Sequence, residues 1–215
     1  ALDQCYRLGT EAYCERITRD ASGSIRGMDL AGRNLGTLKT RGYDLSAAYR
    51  FARSILGDFR ISLDGTYLDK YTLALPGSKP ASQVGSYSFL GQPFWRARAE
   101  LQLDWSRGPW QALWRLRYLS GLDETCVFAD RCSDPGHIDS ASGTLQPRQR
   151  VGAIAYQDLR VGYALSPKAS IAWGVDNLFA RRPPILYTNP QGISFDASNY
   201  DLPDRYFYME YRQRF

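Results

Sequence analysis

The chain has 215 residues, is 44% hydrophobic and 13% aromatic, and carries a formal charge of +5. Its longest apolar runs are only a few residues, far short of the roughly 20 that a membrane-crossing helix needs, so any membrane protein built from it must be a β-barrel. The 15 Tyr and 5 Trp suit half-buried strands, 19 Gly with 2 Met argue against a helical core, and no basic run alternates with exposed aromatics, so no nucleic-acid partner is expected.

Residues 1–36 read as an extracellular loop segment. The chain starts at Ala1 with neither an initiator Met nor the basic, apolar and small-residue succession of a signal peptide, which reads as a processed, trimmed or partial polypeptide. The first alternating strand spans residues 37–51, with Tyr43, Leu45, Ala47, Tyr49 and Phe51 on one face and Asp44, Ser46 and Arg50 on the other. Residues 59–71 repeat the rule, with Phe59, Ile61, Leu63, Tyr67 and Tyr71 opposing Arg60, Asp64, Thr66 and Lys70. Residues 94–105 carry Trp95, Leu101, Leu103 and Trp105 against Arg96, Arg98, Glu100 and Asp104. Three more segments, 110–119, 151–165 and 169–179, alternate in the same way.

The seventh segment ends the chain. In residues 205–215, Phe207, Met209, Tyr211 and Phe215 share one face, interrupted by Gln213, and Tyr208, Glu210, Arg212 and Arg214 the other. A terminal aromatic in an amphipathic strand is the kind of signal that the outer-membrane assembly machinery reads, although one such strand also fits a soluble edge. Together the segments describe an all-β, antiparallel up-and-down transmembrane barrel wall, its apolar set toward lipid and its charged set toward an aqueous lumen.

The connections support that architecture. Short turns at 52–58, 106–109 and 166–167 alternate with long segments at 72–93, 120–150 and 180–203, as periplasmic turns alternate with extracellular loops. Strands of about 12 residues, tilted near 45°, give a height of about 28 Å, matching an apolar band of about 25 Å. Tyr49, Phe59, Trp105, Trp110, Tyr163 and Phe215 form a periplasmic aromatic belt, and Tyr43, Tyr67, Trp95, Tyr118, Phe179 and Phe207 an outer one. A soluble ligand-binding barrel shows the same alternation but has no need of two belts.

Four cysteines fall as two close pairs in Asp-, Ser- and Gly-rich segments. Three connectivities are possible. Neighbour pairing, Cys5 with Cys14 and Cys126 with Cys132, is the economical one, since each bridge staples one surface loop in an oxidising compartment. Neither pair has Cys-x-x-Cys spacing and the single histidine is His137, so zinc is disfavoured.

Four stretches resemble the C-terminal part of a TonB-dependent outer-membrane receptor: Asn34-Leu-Gly-Thr-Leu-Lys-Thr-Arg-Gly-Tyr-Asp44, Gln157-Asp-Leu-Arg-Val-Gly-Tyr163, Gly174-Val-Asp-Asn-Leu-Phe179 followed by Pro183-Pro184, and Asp204-Arg-Tyr-Phe-Tyr-Met-Glu-Tyr-Arg-Gln-Arg-Phe215. The resemblance implies a barrel of about 22 strands with a plugged lumen, of which residues 37–215 supply the last seven strands. It also implies an N-terminal plug domain absent from this chain, import of a scarce nutrient, and energy from a TonB-type protein acting through the missing N-terminal part. The expected location is the outer membrane of a Gram-negative bacterium, and the leading ligand class is a ferric siderophore or similar chelate. A passive porin or adhesin-like barrel and a soluble ligand-binding β-barrel remain as alternatives.

No Gly-rich phosphate loop, Ser/His/Asp set or metal-ligand spacing occurs, so no enzyme and no cofactor are expected. Lys70, Arg96, Arg117, Arg150, Tyr156 and Tyr206 are the substrate-contact candidates, cations and aromatics expected inward and toward the extracellular end to hold an anionic chelate or stack on a sugar. His137 lies in a polar loop and reads as solvated. Lys39, Arg41 and Arg205 share the lipid-facing parity just above the outer belt, where lipopolysaccharide phosphates lie.

Overall fold

The computed structural model describes residues 2–7, 9–29, 31, 36–74, 79–87, 92–126, 132–139, 143–188, 192, 194–202 and 204–215. Asn34 and Leu35 of the first motif lie outside them. The elements in order are α1 (Leu2–Tyr6), α2 (Glu11–Cys14), β1 (Ile17–Arg19), β2 (Ile25–Met28), β3 (Thr37–Arg50), β4 (Asp58–Ala74), β5 (Ala81–Ser82), β6 (Ala97–Arg107), β7 (Trp110–Leu119), β8 (Leu122–Thr125), β9 (Arg148–Val151), β10 (Ile154–Ser166), β11 (Ala169–Asp176) and β12 (Tyr206–Gln213).

One antiparallel sheet runs β12-β11-β10-β7-β6-β4-β3, with β5 pairing beside β4. The seven strands of that path are the seven alternating segments, with ends shifted by up to three residues. Directly paired residues share a face, so the register turns sequence alternation into two chemically distinct surfaces. One row reads Tyr49, Ile61, Leu103, Trp114, Leu159, Val175, Phe207. A row on the other face reads Ser46, Asp64, Glu100, Arg117, Tyr156. The apolar face is uncovered: Tyr43 is 65% exposed, Phe207 72% and Met209 66%. In water such a surface is a liability; facing lipid it is the required outer surface.

The sheet closes its short ends tightly. Gly108 and Pro109 join β6 to β7, and Pro167 and Lys168 join β10 to β11. Between β3 and β4, Ser54 bridges to Gly57, and Trp105 Nε1 donates to the Leu56 carbonyl at 2.8 Å. Gly57 has φ +111°, and a Cβ there would meet the Ser106 carbonyl oxygen at 2.5 Å. Only glycine fits both the dihedral and the space.

One local irregularity reverses an expectation. On β3 the pairing partner jumps from Leu68, opposite Gly42, to Lys70, opposite Arg41. Asp69 is therefore an extra residue in β4, a β-bulge, and a bulge inverts the facing of everything beyond it. Lys70 stands opposite Arg41 on the outer face instead of pointing inward. Tyr71 turns to the inner side, where its ring meets Phe94 at 4.5 Å.

The described parts of the long connections are folded. β8 and β9 form a hairpin, Leu122 opposite Val151. A buried cluster gathers Tyr87, Leu122, Val151, Tyr156, Leu186 and Tyr200, with Trp95, Leu119 and Ile154 packed against it. Its members come from all three long connections and from the adjoining ends of β7 and β10, so they form a cap on one end of the polar face. Trp95, expected in the outer belt, joins this cap with its ring 6.0 Å from Tyr200. It precedes β6, and a bend at Arg96 breaks the alternation there.

Toward the N-terminus, a disulfide joins Cys5 to Cys14 with Cα atoms 4.8 Å apart, and β1 pairs with β2. A second disulfide joins Cys126 to Cys132, 5.7 Å between Cα atoms. Non-reducing peptide mapping of membrane-derived protein should return these two local links, and a peptide joining the two segments would contradict them. Gly57→Ala should lower the unfolding free energy by about 1–3 kcal/mol, read as an earlier urea midpoint of the detergent-folded protein. An unchanged midpoint would show that the turn tolerates a side chain.

Candidate functional site

Ionised groups on the polar face divide into those that hold the cap and those left open. The holding network starts at Asp158 on β10, 3% exposed. Arg115 Nε donates to Asp158 Oδ2 at 3.0 Å and Arg117 Nε to the same oxygen at 3.3 Å. The backbone N–H of Asn177 reaches Asp158 Oδ1 at 2.9 Å. Arg117 also grips Asp201, with Nη1 2.9 Å from Oδ1 and Nη2 2.5 Å from Oδ2. One guanidinium thus ties the barrel wall to the far end of the β11–β12 connection by a bidentate pair. Its carbon lies 5.4 Å from the Tyr156 ring centre, adding a cation–π contact beneath the cap.

Asn177 organises the near end of that connection. It is 2% exposed and sits at φ +55°, a left-handed conformation that asparagine tolerates better than most residues. Its Nδ2 donates to the carbonyls of Arg181 at 2.9 Å and Asp204 at 3.0 Å, and its Oδ1 accepts from the Arg181 N–H at 2.8 Å. Both ends of residues 180–203 are therefore clamped together where they leave the sheet.

Two further buried carboxylates join the connections to each other. Glu124 on β8, 1% exposed, accepts from the N–H groups of Tyr187 at 3.0 Å and Thr188 at 3.1 Å, and from Thr188 Oγ1 at 2.8 Å. Asp196, also 1% exposed, accepts from Ser198 N–H at 3.0 Å, Asn199 Nδ2 at 2.6 Å and the Tyr87 hydroxyl at 3.2 Å. Burial, and then the neighbouring Asp196 carboxylate, push the Tyr87 hydroxyl well above its ordinary range, so it remains a donor.

The contact candidates therefore separate. Arg117 and Tyr156 come together, but as parts of this clamp, and Tyr156 is 1% exposed. Lys70 is on the outer face. Arg96 is exposed at the bend before β6, and Arg98 is exposed on the inner face opposite Thr66 and Leu119. Neither has an ion pair among the described residues. Arg150 is exposed on the β8–β9 hairpin, 3.7 Å from Asp123, at a groove of about 380 Å³ that also holds Arg148 and His137. His137 Nδ1 lies 3.4 Å from Asp134. Tyr206 is exposed at the β12 edge, stacked on Tyr208 with ring centres 6.1 Å apart.

Of the remaining candidates, Phe207, Met209 and Tyr211 are exposed on the outer face of β12, and Phe215 is exposed beyond its end. Arg205 Nε donates to the Leu178 carbonyl at 2.8 Å and lies at the opposite edge of the sheet from Lys39 and Arg41. Asp158, Asn177, Glu124, Asp196 and Asp201 are the residues that strand parity did not single out as functional. Only Asn177, in its Asp-Asn-Leu turn, carries a local signal, because asparagine favours left-handed turn positions.

A family model described as TonB dependent receptor-like, β-barrel, matches residues 15–178. The ferric enterobactin receptor PirA of Pseudomonas aeruginosa is 34% identical over 102 residues, covering 46% of this chain and 12% of that protein. Two crystal structures of variants of the ferric enterobactin receptor PfeA from the same organism align with TM-scores of 0.48 and 0.47, each at 19% identity. They cover 80% and 82% of this chain and 22% of theirs. The chain thus spans only a small part of the length of the relatives it matches.

Asp158→Ala would leave two arginines facing each other without their shared anion, which should cost about 3 kcal/mol. Limited proteolysis should then cut within residues 180–203 far faster than in the unaltered protein. Equal cutting rates would contradict the clamp.

Proposed function

The chain belongs to the TonB-dependent receptor β-barrel family, and from that membership we propose that it forms part of the wall and outer cap of a receptor importing an anionic ferric siderophore across the outer membrane of a Gram-negative bacterium. The observation that carries the ligand class is the set of open cations. Arg117 is consumed by Asp158 and Asp201, whereas Arg96 and Arg98 have no ion pair among the described residues and Arg150 is loosely held at 3.7 Å. Arginines that are not neutralised by the protein's own carboxylates suit the negative charge of a ferric chelate. The naming of a relative as a ferric enterobactin receptor makes that chelate the first candidate.

Both terminal strands of the sheet path, β3 and β12, have an unpaired edge among the described residues. In hydrocarbon each unpaired backbone group costs several kcal/mol, so these edges need partners. We propose about 15 further strands, by difference from a barrel of about 22, together with a plug and the segment that contacts a TonB-type energising protein. The outward aromatics of β12 and Phe215 suit recognition by the outer-membrane assembly machinery.

A strain lacking the gene, complemented with the full-length receptor and supplied with ferric enterobactin as sole iron source, tests the reading. Growth should require both the receptor and the energising protein. The Arg96→Gln, Arg98→Gln, Arg150→Gln variant should bind the chelate at least about tenfold more weakly, since each lost charge-assisted contact is worth about 1 kcal/mol or more. Uptake that persists without the energising protein would instead identify a passive pore. Binding unchanged in the triple variant would remove these arginines from the ligand site.

A further inference from the structure

The β-bulge at Asp69 has assembled a cationic cluster on the outside of the wall. Lys39 and Arg41 occupy alternate positions of β3, on the face that carries Tyr43, Leu45 and Tyr49. Lys70 is paired with Arg41, and Thr72 with Lys39. Without the extra residue Lys70 would point to the lumen; with it, three cations from two strands share one surface. Arg41 Nε donates to Asp69 Oδ2 at 2.5 Å, an ion pair that fixes Arg41 in place and offsets its charge, so the two lysines carry the free charge of the group. Lys39 and Lys70 are exposed and have no ion pair among the described residues.

The height of the cluster is informative. Tyr43 and Tyr67 are paired on the same face, and Arg41 and Lys39 lie about 7 Å and 13 Å further along the strand toward the capped end, at about 3.3 Å per residue. Below the tyrosines the face is apolar, with Leu45, Ala47 and Leu63. Above them a shallow groove of about 260 Å³ is lined by Thr37, Lys39, Lys70, Thr72, Ala74 and Pro80. A free cation in hydrocarbon is costly, whereas one at headgroup level is favourable. Ammonium groups and threonine hydroxyls match a phosphate monoester, and the apolar surface directly beneath matches acyl chains. That combination selects a phosphorylated lipid over free phosphate.

We propose that Lys39, Arg41 and Lys70 form a binding site for the phosphates of an outer-leaflet glycolipid of the lipopolysaccharide type, created by the β4 bulge. The site rests on the outer-membrane reading but not on the transported ligand, so its failure would leave the uptake experiment untouched. Arg205, which directly precedes β12 and has the same parity, belongs to a different part of the wall and is not a member.

The experiment measures lipopolysaccharide retained per receptor, by native mass spectrometry of the full-length protein extracted from outer membranes in mild detergent. The Lys39→Gln, Arg41→Gln, Lys70→Gln variant should retain at least about tenfold less, and Lys70→Gln alone should lower retention several-fold. A control with Arg53, Lys168 and Arg214 changed to Gln, at the opposite end of the strands, should match the unaltered receptor. Washing with inorganic phosphate should not displace the lipid. Equal retention in the triple variant, equal loss in the control, or no effect of Lys70→Gln would each overturn the site. Heat-modifiable migration of every variant on gels checks that the barrel is folded, and a loss confined to unfolded material would likewise count against the proposal.

Discussion

A lipid bilayer offers no hydrogen-bond partner to a peptide group, and that constraint organises the wall. Every backbone N–H and C=O at membrane depth must be met by a neighbouring strand, which forces long, continuous pairing such as the 14-residue β3 against the 17-residue β4. Pairing in turn aligns residues in rows, so one face can be made wholly apolar and the other polar. Tight turns join the strands at one end. By the same constraint, the edges of β3 and β12, unpaired among the described residues, are costly in hydrocarbon.

The opposite end obeys different physics. Three long connections leave the membrane and acquire a small hydrophobic core around Tyr87, Leu122, Leu186 and Tyr200. A core that small is weakly specified by apolar burial alone. Buried carboxylates tie its parts together, each with a defined set of donors, and an unmet charge at any of them is costly. Asp158 fixes the root of the last connection, Glu124 its first part and Asp196 its far part. Anchoring the cap consumes Arg115 and Arg117, whereas Arg96 and Arg98 have no ion pair among the described residues and Arg150 is held only at 3.7 Å.

Strand positions and faces were legible in the sequence because a period of two is imposed by the membrane and survives residue by residue, as in Ala97–Arg107. The bulge was not legible. Leu68, Asp69, Lys70 and Tyr71 read as plausible alternation with or without an extra residue, and only pairing with β3 reveals the slip. The cap carboxylates were hidden for another reason: their partners lie 63, 84 and 109 positions away, in the pairs Glu124 with Tyr187, Arg117 with Asp201 and Tyr87 with Asp196. Nothing local distinguishes such an acid from a solvated one. The family likeness rested on short motifs whose order mattered more than any single residue. It pointed to a receptor but not to which arginines were already spoken for.

A membrane-spanning wall requires its two faces to meet different solvents, and cysteine accessibility along β6 measures that directly. Single cysteines placed in the full-length receptor at successive positions from Ala99 to Asp104 should label alternately in intact outer membranes. Ala99, Leu101 and Leu103 should react with a lipid-soluble maleimide, and Glu100, Gln102 and Asp104 with a water-soluble one. Uniform labelling by the water-soluble reagent, or the reverse alternation, would contradict a membrane-spanning wall with an aqueous lumen.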